Sequence, residues 1–402
     1  MDIQTPWVLW SSELSPFALK IELMLKQAGL PYEWQPSTGG LIKVHKLNRR
    51  LRQLRAGKQN LTWPKKTVLD EYPAVPFLFG PDGENLYDST AIGDWLHQHY
   101  EQCQCLLASG NPVVDFVIRL IDEAMDEVGL YLVHHHRWAI AARDNTAGMR
   151  LSREMRLLMG PMALVLRKAF PARQVRRMPY LFSVADTAAG QYADLPADRQ
   201  PPSREKFPPT HQFLEGSYGQ LLASLEPILS SREFLFGEAI TLADASVYGQ
   251  IAMNMSDPAA WKMIQGEAPH TASWIQRLNS GKNFANKTSA IKLHTDLVPV
   301  LKWVCDFFVP LMQQNFSAYQ QHLEIRESMY NEKAFNRNRA LYRGHLGRVP
   351  FTSVAKTFQV RVWQDLRNRW DNLSPAHIQQ LETLLPAEHG LNKDTRQVRI
   401  NL

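Results

Sequence analysis

Two short stretches of the chain place a serine where an anionic or zwitterionic ligand could bind. In "LSPFALKIEL", Ser15 and Pro16 lie where the apolar run "PWVLW" passes into helical spacing. In "LYDST", Asp88 and Ser89 lie where a second apolar run meets another helical pattern. Free amides and the helix dipole attract anions at a helix N-terminus. Each serine can therefore contact an anion, or it can cap its helix and do nothing more.

The position of Ser15 suits the activation of a thiol. A sulfur beside it would meet the helix dipole and the serine hydroxyl, and both favour the thiolate form. A free thiol has a pKa of about 8.5, and helix N-termini lower it. Ser15 could donate a hydrogen bond to such an anion. Ser11 and Ser12 lie in the same loop and are alternatives for this role.

The pair of Asp88 and Ser89 combines two complementary groups. The carboxylate suits an ammonium group, while the hydroxyl and amide at a helix start suit a carboxylate. A ligand group that carries an ammonium and a carboxylate could be held by this pair. The alternative is that Ser89 only caps the helix that follows.

The elements that must position these residues follow from the hydrophobic pattern. The first hundred residues are predicted to form strand, helix, strand, helix, hairpin and helix. Gly29 ends the first of these helices in the usual C-terminal position. After Pro112 the patterns are helical, and residues 281–402 are predicted to be mostly helical. Residues 171–210 are predicted to be irregular, because proline and charge are dense there.

Bulk composition indicates a soluble globular chain in a reducing compartment. The chain has 402 residues, 45% hydrophobic and 21% charged, and this length predicts about two to three domains. No apolar run reaches the roughly 18 to 20 residues of a membrane span, and the N-terminus has no pattern of a secretory signal. Cys103, Cys105 and Cys305 form no disulfide framework, which predicts a cytoplasmic location. "CQC" has no second cysteine pair, so a zinc site is not expected.

A basic cluster lies between Glu33 and Asp70, an interval that holds no acidic residue. The positive charge of the cluster exceeds the net charge of the whole chain, which is +6. The cluster consists of Lys43, Lys46, Arg49, Arg50, Arg52, Arg55, Lys58, Lys65 and Lys66. Such a cluster can bind phosphate, anionic lipid or an acidic ligand, or it can be a solvated helix face. Aromatic residues are nearly absent from it, so stacking on single-stranded nucleic acid is not expected.

Three pieces of the chain resemble the glutathione S-transferases, in particular the classes that use a serine. "WSSELSPFALKIELMLKQAGLPYEW" is similar to their first strand and helix. "YPAVPFLFGPDGENLYDSTAIGDWL" is similar to their strand with a cis-proline, the hairpin and the acid-serine pair. "FLFGEAITLADASVY" is similar to the capping box of their helical domain. The resemblance covers about residues 6–280 with gaps.

The resemblance implies a thioredoxin-like α/β N-terminal domain, then an all-α glutathione transferase C-terminal domain with a helical extension. Residues 1–100 would bind glutathione and carry the basic insert at about 38–70. Residues 111–280 would form the helical transferase domain, and residues 281–402 would form the extension. Thr241 and Asp244 would form a capping box that serves folding and not chemistry.

The resemblance also assigns the glutathione-binding residues. The Val75–Pro76 peptide would be cis, which costs only about 0.5–1 kcal/mol before proline, and the Val75 backbone would pair with the cysteinyl backbone of glutathione. The alternative is an ordinary edge-strand proline. Asp88 and Ser89 would hold the γ-glutamyl group, and Ser15 would stabilise the thiolate.

Several features depart from the serine-type pattern. The loop before Ser15 is longer than usual and holds no cysteine, which argues against a thiol-disulfide activity. Pro73 and Ala74 stand where basic residues often precede the Val-Pro pair, so one contact to the glycine carboxylate is missing. Lys65, Lys66 or an arginine of the insert would have to replace it.

The extension and "DEVGLYLVHHHRW" resemble a set of long bacterial glutathione transferase-like proteins. His134, His135 and His136 are consecutive, so they point in different directions on a helix and cannot all ligate one metal. His136 and Trp138 are candidates to line a pocket for the electrophile, and the alternative for both is packing.

Two functions follow from these observations. The first is a cytoplasmic glutathione transferase-like enzyme that activates the thiol of glutathione, its co-substrate, for attack on an apolar electrophile. It would be a homodimer, without a metal, a nucleic-acid partner or a transmembrane segment. The second is a non-catalytic glutathione-binding or scaffold protein, since a fold does not by itself establish chemistry.

Overall fold

A four-stranded mixed sheet opens the chain in the computed structural model, which describes residues 5–70, 75–104, 106–107, 110–182, 195, 199–281 and 291–392. The strand order is β2-β1-β3-β4, with β2 parallel to β1 and the other two pairs antiparallel. The elements of this part are β1 (Trp7–Trp10), α1 (Pro16–Gln27), β2 (Tyr32–Gln35), α2 (Leu41–Arg55), β3 (Phe77–Phe79), β4 (Asn85–Tyr87) and α3 (Ser89–His99).

Both faces of β1 are covered, as its unbroken apolar run requires. Trp7 and Leu9 belong to the main core with α1 and α3. Val8 and Trp10 point to the other face and pack in a second cluster with α2. Successive side chains of a strand alternate between faces, so a strand without polar residues needs a helix on each side.

The rest of the chain is predominantly helical. Before the extension the helices are α4 (Pro112–Ala124), α5 (Leu130–His135), α6 (Ala147–Glu154), α7 (Arg156–Met159), α8 (Leu166–Leu181), α9 (His211–Ser231), α10 (Leu242–Ala252), α11 (Pro258–Glu267) and α12 (Pro269–Asn279). A π-helical turn, Met125–Gly129, joins α4 to α5, and another, His136–Ile140, follows α5. Short 3₁₀ turns are formed by Glu101–Cys103, Gly160–Val165, Met253–Ser256 and Thr295–Leu297.

The prediction of irregular structure is wrong for residues 171–181. There α8 continues through Pro171 and Pro179 to Leu181. Val175 and Met178 of this helix are buried against Trp138, and this packing outweighs the unfavourable prolines. The two prolines indicated that a helix is locally unfavourable here, but the sequence did not show the tertiary contacts that offset this cost.

The described residues of the C-terminal extension form five helices, a π-helical turn at Val304–Phe308 and a hairpin. These elements are α13 (Val298–Trp303), α14 (Val309–Glu324), α15 (Asn331–Phe335), β5 (Leu341–Leu346), β6 (Val349–Val354), α16 (Thr357–Asp371) and α17 (Pro375–Glu382). The sequence analysis did not predict the hairpin. Leu346 pairs with Val349 across a two-residue loop, and Gly347 takes a φ of 57° there, which is a conformation that favours glycine.

The sheet, the helical part and the extension share one core, whose buried residues run from Trp7 to Leu391. α1 and α10 cross closely at Gly249, where a Cβ atom would lie 2.5 Å from the carbonyl oxygen of Pro16. This close approach brings the start of α1 against the helical part. The expected fold, a thioredoxin-like α/β domain followed by helical domains, is confirmed. Among the described residues, no helix is long and apolar enough to span a membrane.

Candidate functional site

A cavity of about 230 Å³ lies where the sheet domain, the helical part and the extension meet. The sheet domain contributes the end of β4, the start of α3 and the first turn of α1. The helical part contributes the junction of α4 and α5, and the extension contributes the start of α16. Its lining consists of Phe17, Val75, Pro76, Tyr87, Asp88, Ser89, Thr90, Glu123, Asp126, Glu127, Leu130, Tyr131, Arg177, Tyr180, Leu181, Lys356, Phe358 and Gln359.

The structure brings four of the predicted binding residues into this cavity: Val75, Pro76, Asp88 and Ser89. The Val75–Pro76 peptide is cis, as predicted. Val75 lines the cavity and is 39% exposed. Pro73 and Ala74, named as a departure from the family pattern, lie outside the described residues.

Asp88 is the N-cap of α3, and both of its carboxylate oxygens have protein partners. Oδ1 accepts hydrogen bonds from the amides of Thr90 and Ala91, each at 3.1 Å. Oδ2 accepts from Nη2 of Arg361 at 2.7 Å. The backbone of Asp88 has a φ of 70°, which turns the chain sharply from β4 into the helix. The N-cap of α3 is therefore Asp88 and not Ser89, which the sequence analysis had offered as the cap.

Ser89 begins α3 and donates its hydroxyl hydrogen to Asp126 Oδ2 at 3.2 Å. Since Asp88 covers the amides of Thr90 and Ala91, the Ser89 amide is the first-turn donor without an acceptor among the described residues. This amide lies at the positive end of the α3 dipole, and Ser89 is one of the residues that line the cavity. This arrangement suits a ligand carboxylate.

Ser15 caps α1 through its backbone, and Pro16 takes the first helical position, as predicted. Its side chain makes no capping hydrogen bond, and Ser15 is not among the residues that line the cavity, although Phe17 is. Ser12 Oγ accepts from the amide of Leu14 at 3.1 Å. Ser11 is 2% exposed, and its hydroxyl has no hydrogen-bond partner among the residues that the structure describes. The role of Ser15 at the thiol stays a prediction.

Beneath the start of α3 lies a buried ion cluster that the sequence analysis did not identify. Lys20 Nζ lies 2.6 Å from Asp122 Oδ1 and 2.7 Å from Asp126 Oδ2, and it donates to Thr90 Oγ1 at 2.9 Å. Burial alone would lower the pKa of Lys20, but Asp122 and Asp126 raise it overall. Burial raises the pKa of Asp126 to about 6, although Lys20 opposes this shift. The cluster fixes α1, α3 and α4 against one another.

The extension supplies one wall of the cavity through Lys356 and Gln359. Lys356 Nζ donates to the hydroxyl of Tyr131 at 2.7 Å and to the carbonyl of Leu181 at 3.0 Å. Gln359 Nε2 donates to the same hydroxyl at 2.7 Å. Burial raises the pKa of Glu127 to about 7, while Gln359 and Lys356 act in the opposite direction.

The histidines and Trp138 do not line this cavity. His134, His135 and His136 are all buried, and His136 Nδ1 lies 2.8 Å from the carbonyl oxygen of Leu132. Trp138 is 2% exposed and packs in a separate apolar cluster. Both His136 and Trp138 therefore have packing roles in this structure, and it does not bring them to the candidate site. Their assignment to an electrophile pocket stays a prediction that this geometry does not favour.

Thr241 and Asp244 form the expected capping box at the start of α10. Asp244 Oδ2 accepts from the Thr241 amide at 2.9 Å, and Thr241 Oγ1 accepts from the Asp244 amide at 3.4 Å. The Leu235 amide adds a third bond to Asp244, at 2.8 Å. These residues lie away from the cavity lining.

The basic insert is not a uniformly solvated face. Arg50 donates to Asn85 Oδ1 at 2.7 Å and to the carbonyl of Gly83 at 2.6 Å, so it ties α2 to the β3–β4 hairpin. Lys65 and Lys66 are exposed and do not line the cavity. The structure therefore gives no contact through which these lysines would replace the missing glycine-carboxylate partner.

Sequence reasoning missed Lys20, Arg361 and the acidic residues of α4. A signal for Lys20 was present, because it lies on the apolar face of α1 between Phe17 and Met24. A charged residue on such a face is rarely buried without a partner. Arg361 carried no such signal, since it lies 273 positions from Asp88.

The comparisons with known proteins assign the first part of the chain. A family model described as the glutathione S-transferase N-terminal domain matches residues 14–99. These residues belong to the glutathione S-transferase family. The match covers α1, the cis Val75–Pro76 peptide and the start of α3, which are the parts of this transferase-like domain that line the cavity. No curated protein matches the chain.

Among solved structures the chain is similar to several glutathione S-transferases. One from Methylobacterium radiotolerans, in complex with glutathione sulfonate, is 18% identical, with 72% of this chain and 98% of that chain covered and a TM-score of 0.34. One from Phanerochaete chrysosporium is 14% identical, with 70% and 98% covered and a TM-score of 0.40. One from rice, in complex with glutathione, is 15% identical, with 71% and 92% covered and a TM-score of 0.31. These values are too low to support an assignment beyond the family match.

Proposed function

We propose that this protein binds glutathione in the cavity and acts as a glutathione transferase-like protein. The observation that carries the proposal is the position of the cis Val75–Pro76 peptide and the Ser89 amide in one cavity. An exposed extended backbone can pair with a peptide ligand, and a helix N-terminus can hold its terminal carboxylate. Glutathione offers both groups, and similar proteins were crystallised with glutathione or its sulfonate.

In the catalytic form of this proposal, Ser15 donates a hydrogen bond to the glutathione sulfur and stabilises the thiolate. The thiolate then attacks an electrophilic carbon of the second substrate and forms a carbon–sulfur bond. In a displacement the leaving group departs with the electrons of its bond, and in an addition the adduct takes up a proton from water. Tyr131, Tyr180 and Phe358 line the cavity and provide apolar surface for that substrate. Glu127 and Lys356 line it as well, so an electrophile with polar substituents fits this lining better than a wholly apolar one.

A second candidate function is glutathione binding without catalysis. It is favoured by the absence of Ser15 from the described cavity lining, since Phe17 occupies the edge nearest to α1. A protein of this kind would bind glutathione at Val75 and Ser89 and leave the thiol unactivated. The division into residues 1–100, 111–280 and 281–402, the homodimer and the cytoplasmic location stay predictions under either function.

The proposal is tested by calorimetric titration of the full chain with glutathione. Leu130→Trp should abolish binding, because Leu130 lines the cavity and the larger ring would fill it. The matched control is Ile42→Trp, at a position 87% exposed on α2, which should bind like the parent. If the folded parent does not bind millimolar glutathione, or if Leu130→Trp binds with unchanged affinity, the proposed site is wrong.

A further inference from the structure

Large apolar side chains are exposed along the segment that joins α7 to α8. Met162 is 64% exposed, Leu164 is 55% exposed and Val165 is 57% exposed. Met159 is exposed too, and all four lie in or directly before the 3₁₀ turn Gly160–Val165. A cluster of exposed apolar side chains with a polar rim marks a contact surface for another molecule.

The same segment is strongly basic. No acidic residue lies between Glu154 and Asp186 in the sequence, and Glu154 is itself buried. Arg167 and Lys168 directly follow the apolar turn and line a shallow groove with Leu164. Both cations lie in the first turn of α8, which holds no acidic residue, and the helix dipole disfavours cations at that end. The stability of α8 therefore does not explain these two charges.

The fold places α2 beside this segment. Leu157 and Leu158 of α7 pack against the apolar cluster that includes Val44 and Leu51 of α2. Because α2 belongs to the other acid-free interval of the chain, two basic segments that are far apart in the sequence lie together. We call α2 and residues 156–168 the basic face. The exposed side chains that α2 adds to it are Leu41, Ile42, Lys46, Arg49 and Arg52.

The cations of the basic face have little compensation within the chain. Arg156, Arg167 and Lys168 are exposed, and none of them forms an ion pair with a residue that the structure describes. Glu33, the acid that borders the interval of α2, is already paired with Lys43. The basic face therefore presents uncompensated positive charge around exposed apolar side chains, and its partner must be both anionic and apolar.

Two kinds of partner fit this combination poorly. A second copy of the chain that docked through the same face would bring like charges together, because a two-fold interface pairs one patch with itself. Nucleic acid would meet the charge, but the large hydrophobic side chains exposed on the basic face are aliphatic, so the face offers no ring on which a base could stack. An anionic bilayer satisfies both properties, since its phosphates meet lysine and arginine while aliphatic side chains enter the acyl boundary.

We infer that the basic face binds the surface of an anionic lipid bilayer. Met162, Leu164 and Val165 enter the acyl boundary, and Arg167 and Lys168 contact lipid phosphates. No residue of the basic face lines the cavity assigned to glutathione, so this inference goes beyond the proposed function and does not depend on it.

Vesicle flotation of the full chain tests the inference. The parent should float with vesicles of mixed phosphatidylcholine and phosphatidylglycerol but not with phosphatidylcholine alone, and salt should weaken the binding. Leu164→Ser combined with Val165→Ser should weaken it about 10-fold or more, because two aliphatic side chains no longer leave water. Arg167→Gln combined with Lys168→Gln should weaken it about 10- to 30-fold, since each cation near an anionic surface contributes about fivefold.

The matched control is Leu323→Ser combined with Ile325→Ser, which removes two exposed apolar side chains from the extension, beside Glu324. It should float like the parent, and all variants should keep the parent's melting temperature because the altered side chains are exposed. The inference is overturned if the parent binds neither kind of vesicle or both equally, or if the control loses as much binding as the Leu164 and Val165 variant. It is also overturned if the parent binds polyglutamate but not vesicles, which would assign the face to an acidic protein. Calorimetry with glutathione reports on the proposed function separately.

Discussion

The first turns of α3 and α10 both contain an aspartate and a hydroxyl residue, but they differ in which backbone amides have a hydrogen-bond acceptor. At α10, Thr241 and Asp244 are both 0% exposed, and each accepts the backbone amide of the other. At α3, Asp88 lies one position before the helix and accepts from Thr90 and Ala91. The Ser89 amide is left facing a cavity, without an acceptor among the described residues.

The difference suggests that the first turn of α10 stabilises the fold, whereas the first turn of α3 can bind a ligand. An acid three positions after its hydroxyl partner returns to the cap and closes the first turn on itself. An acid directly before the serine caps the second and third amides and leaves the first one for a ligand. Changes at α10 should therefore alter folding alone, and changes around α3 should alter ligand binding.

The largest expected effect concerns the support beneath α3. Lys20→Met should lower the free energy of unfolding by about 3–5 kcal/mol, because it leaves Asp122 and Asp126 buried without their cation. Urea unfolding measures this loss. Lys26→Met is the control on the same helix, since Lys26 is partly exposed and paired only with Glu22, and it should change stability by less than about 1 kcal/mol. Equal losses for the two variants would contradict the prediction.

The next effect tests α10 directly. Asp244→Ala should lower the free energy of unfolding by about 1–3 kcal/mol, because the buried amides of Leu235 and Thr241 lose their acceptor. Thermal melting measures this change, and calorimetry on the folded variant should show the parent's affinity for glutathione. Unaltered melting together with lost binding would place α10, and not only α3, in the site.

The third effect concerns the thiol and not the fold. Ser15→Ala should reduce the thiolate fraction of bound glutathione about 10- to 100-fold at neutral pH, with affinity nearly intact, because a hydrogen bond to the sulfur is lost. Thiolate absorbance against pH measures it, with Ser11→Ala and Ser12→Ala as controls from the same loop. A raised thiol pKa in a control variant would assign the stabilisation of the thiolate to Ser11 or Ser12. No shift in any variant, and no lowered thiol pKa in the parent, would favour the non-catalytic function.

The smallest effect concerns the basic insert. Replacing Lys65 and Lys66 together by glutamine should leave glutathione affinity unchanged even at low salt, because both side chains are exposed and neither lines the cavity. Calorimetry at low ionic strength is the measurement. Weaker binding by this variant would show that the insert recruits the glycine carboxylate after all.

Local signals predicted much of the site. Ser15 and Pro16 predicted where α1 begins, and Thr241 and Asp244 predicted the capping box, because each depends on residues close together in the chain. The cis peptide before Pro76 was predicted from the family resemblance. The hairpin of the extension was missed although its two-residue loop with Gly347 was a readable signal. Helix α8 was predicted incorrectly because packing outweighed its prolines.

Sequence alone determined the start of α3 and the residue types around it, because capping and turn geometry act over three or four positions. Tertiary structure decided which of the charged side chains in the cavity are paired with another residue of the chain. Arg361 neutralises Asp88 from 273 positions away, and Lys20 neutralises Asp126 from 106 positions away. Glu123 lines the cavity as well as a second one with Arg119, Arg361 and Arg369, and burial raises its pKa well above the usual value. Charge compensation in a buried site depends on distance in space, which no local pattern of residues specifies.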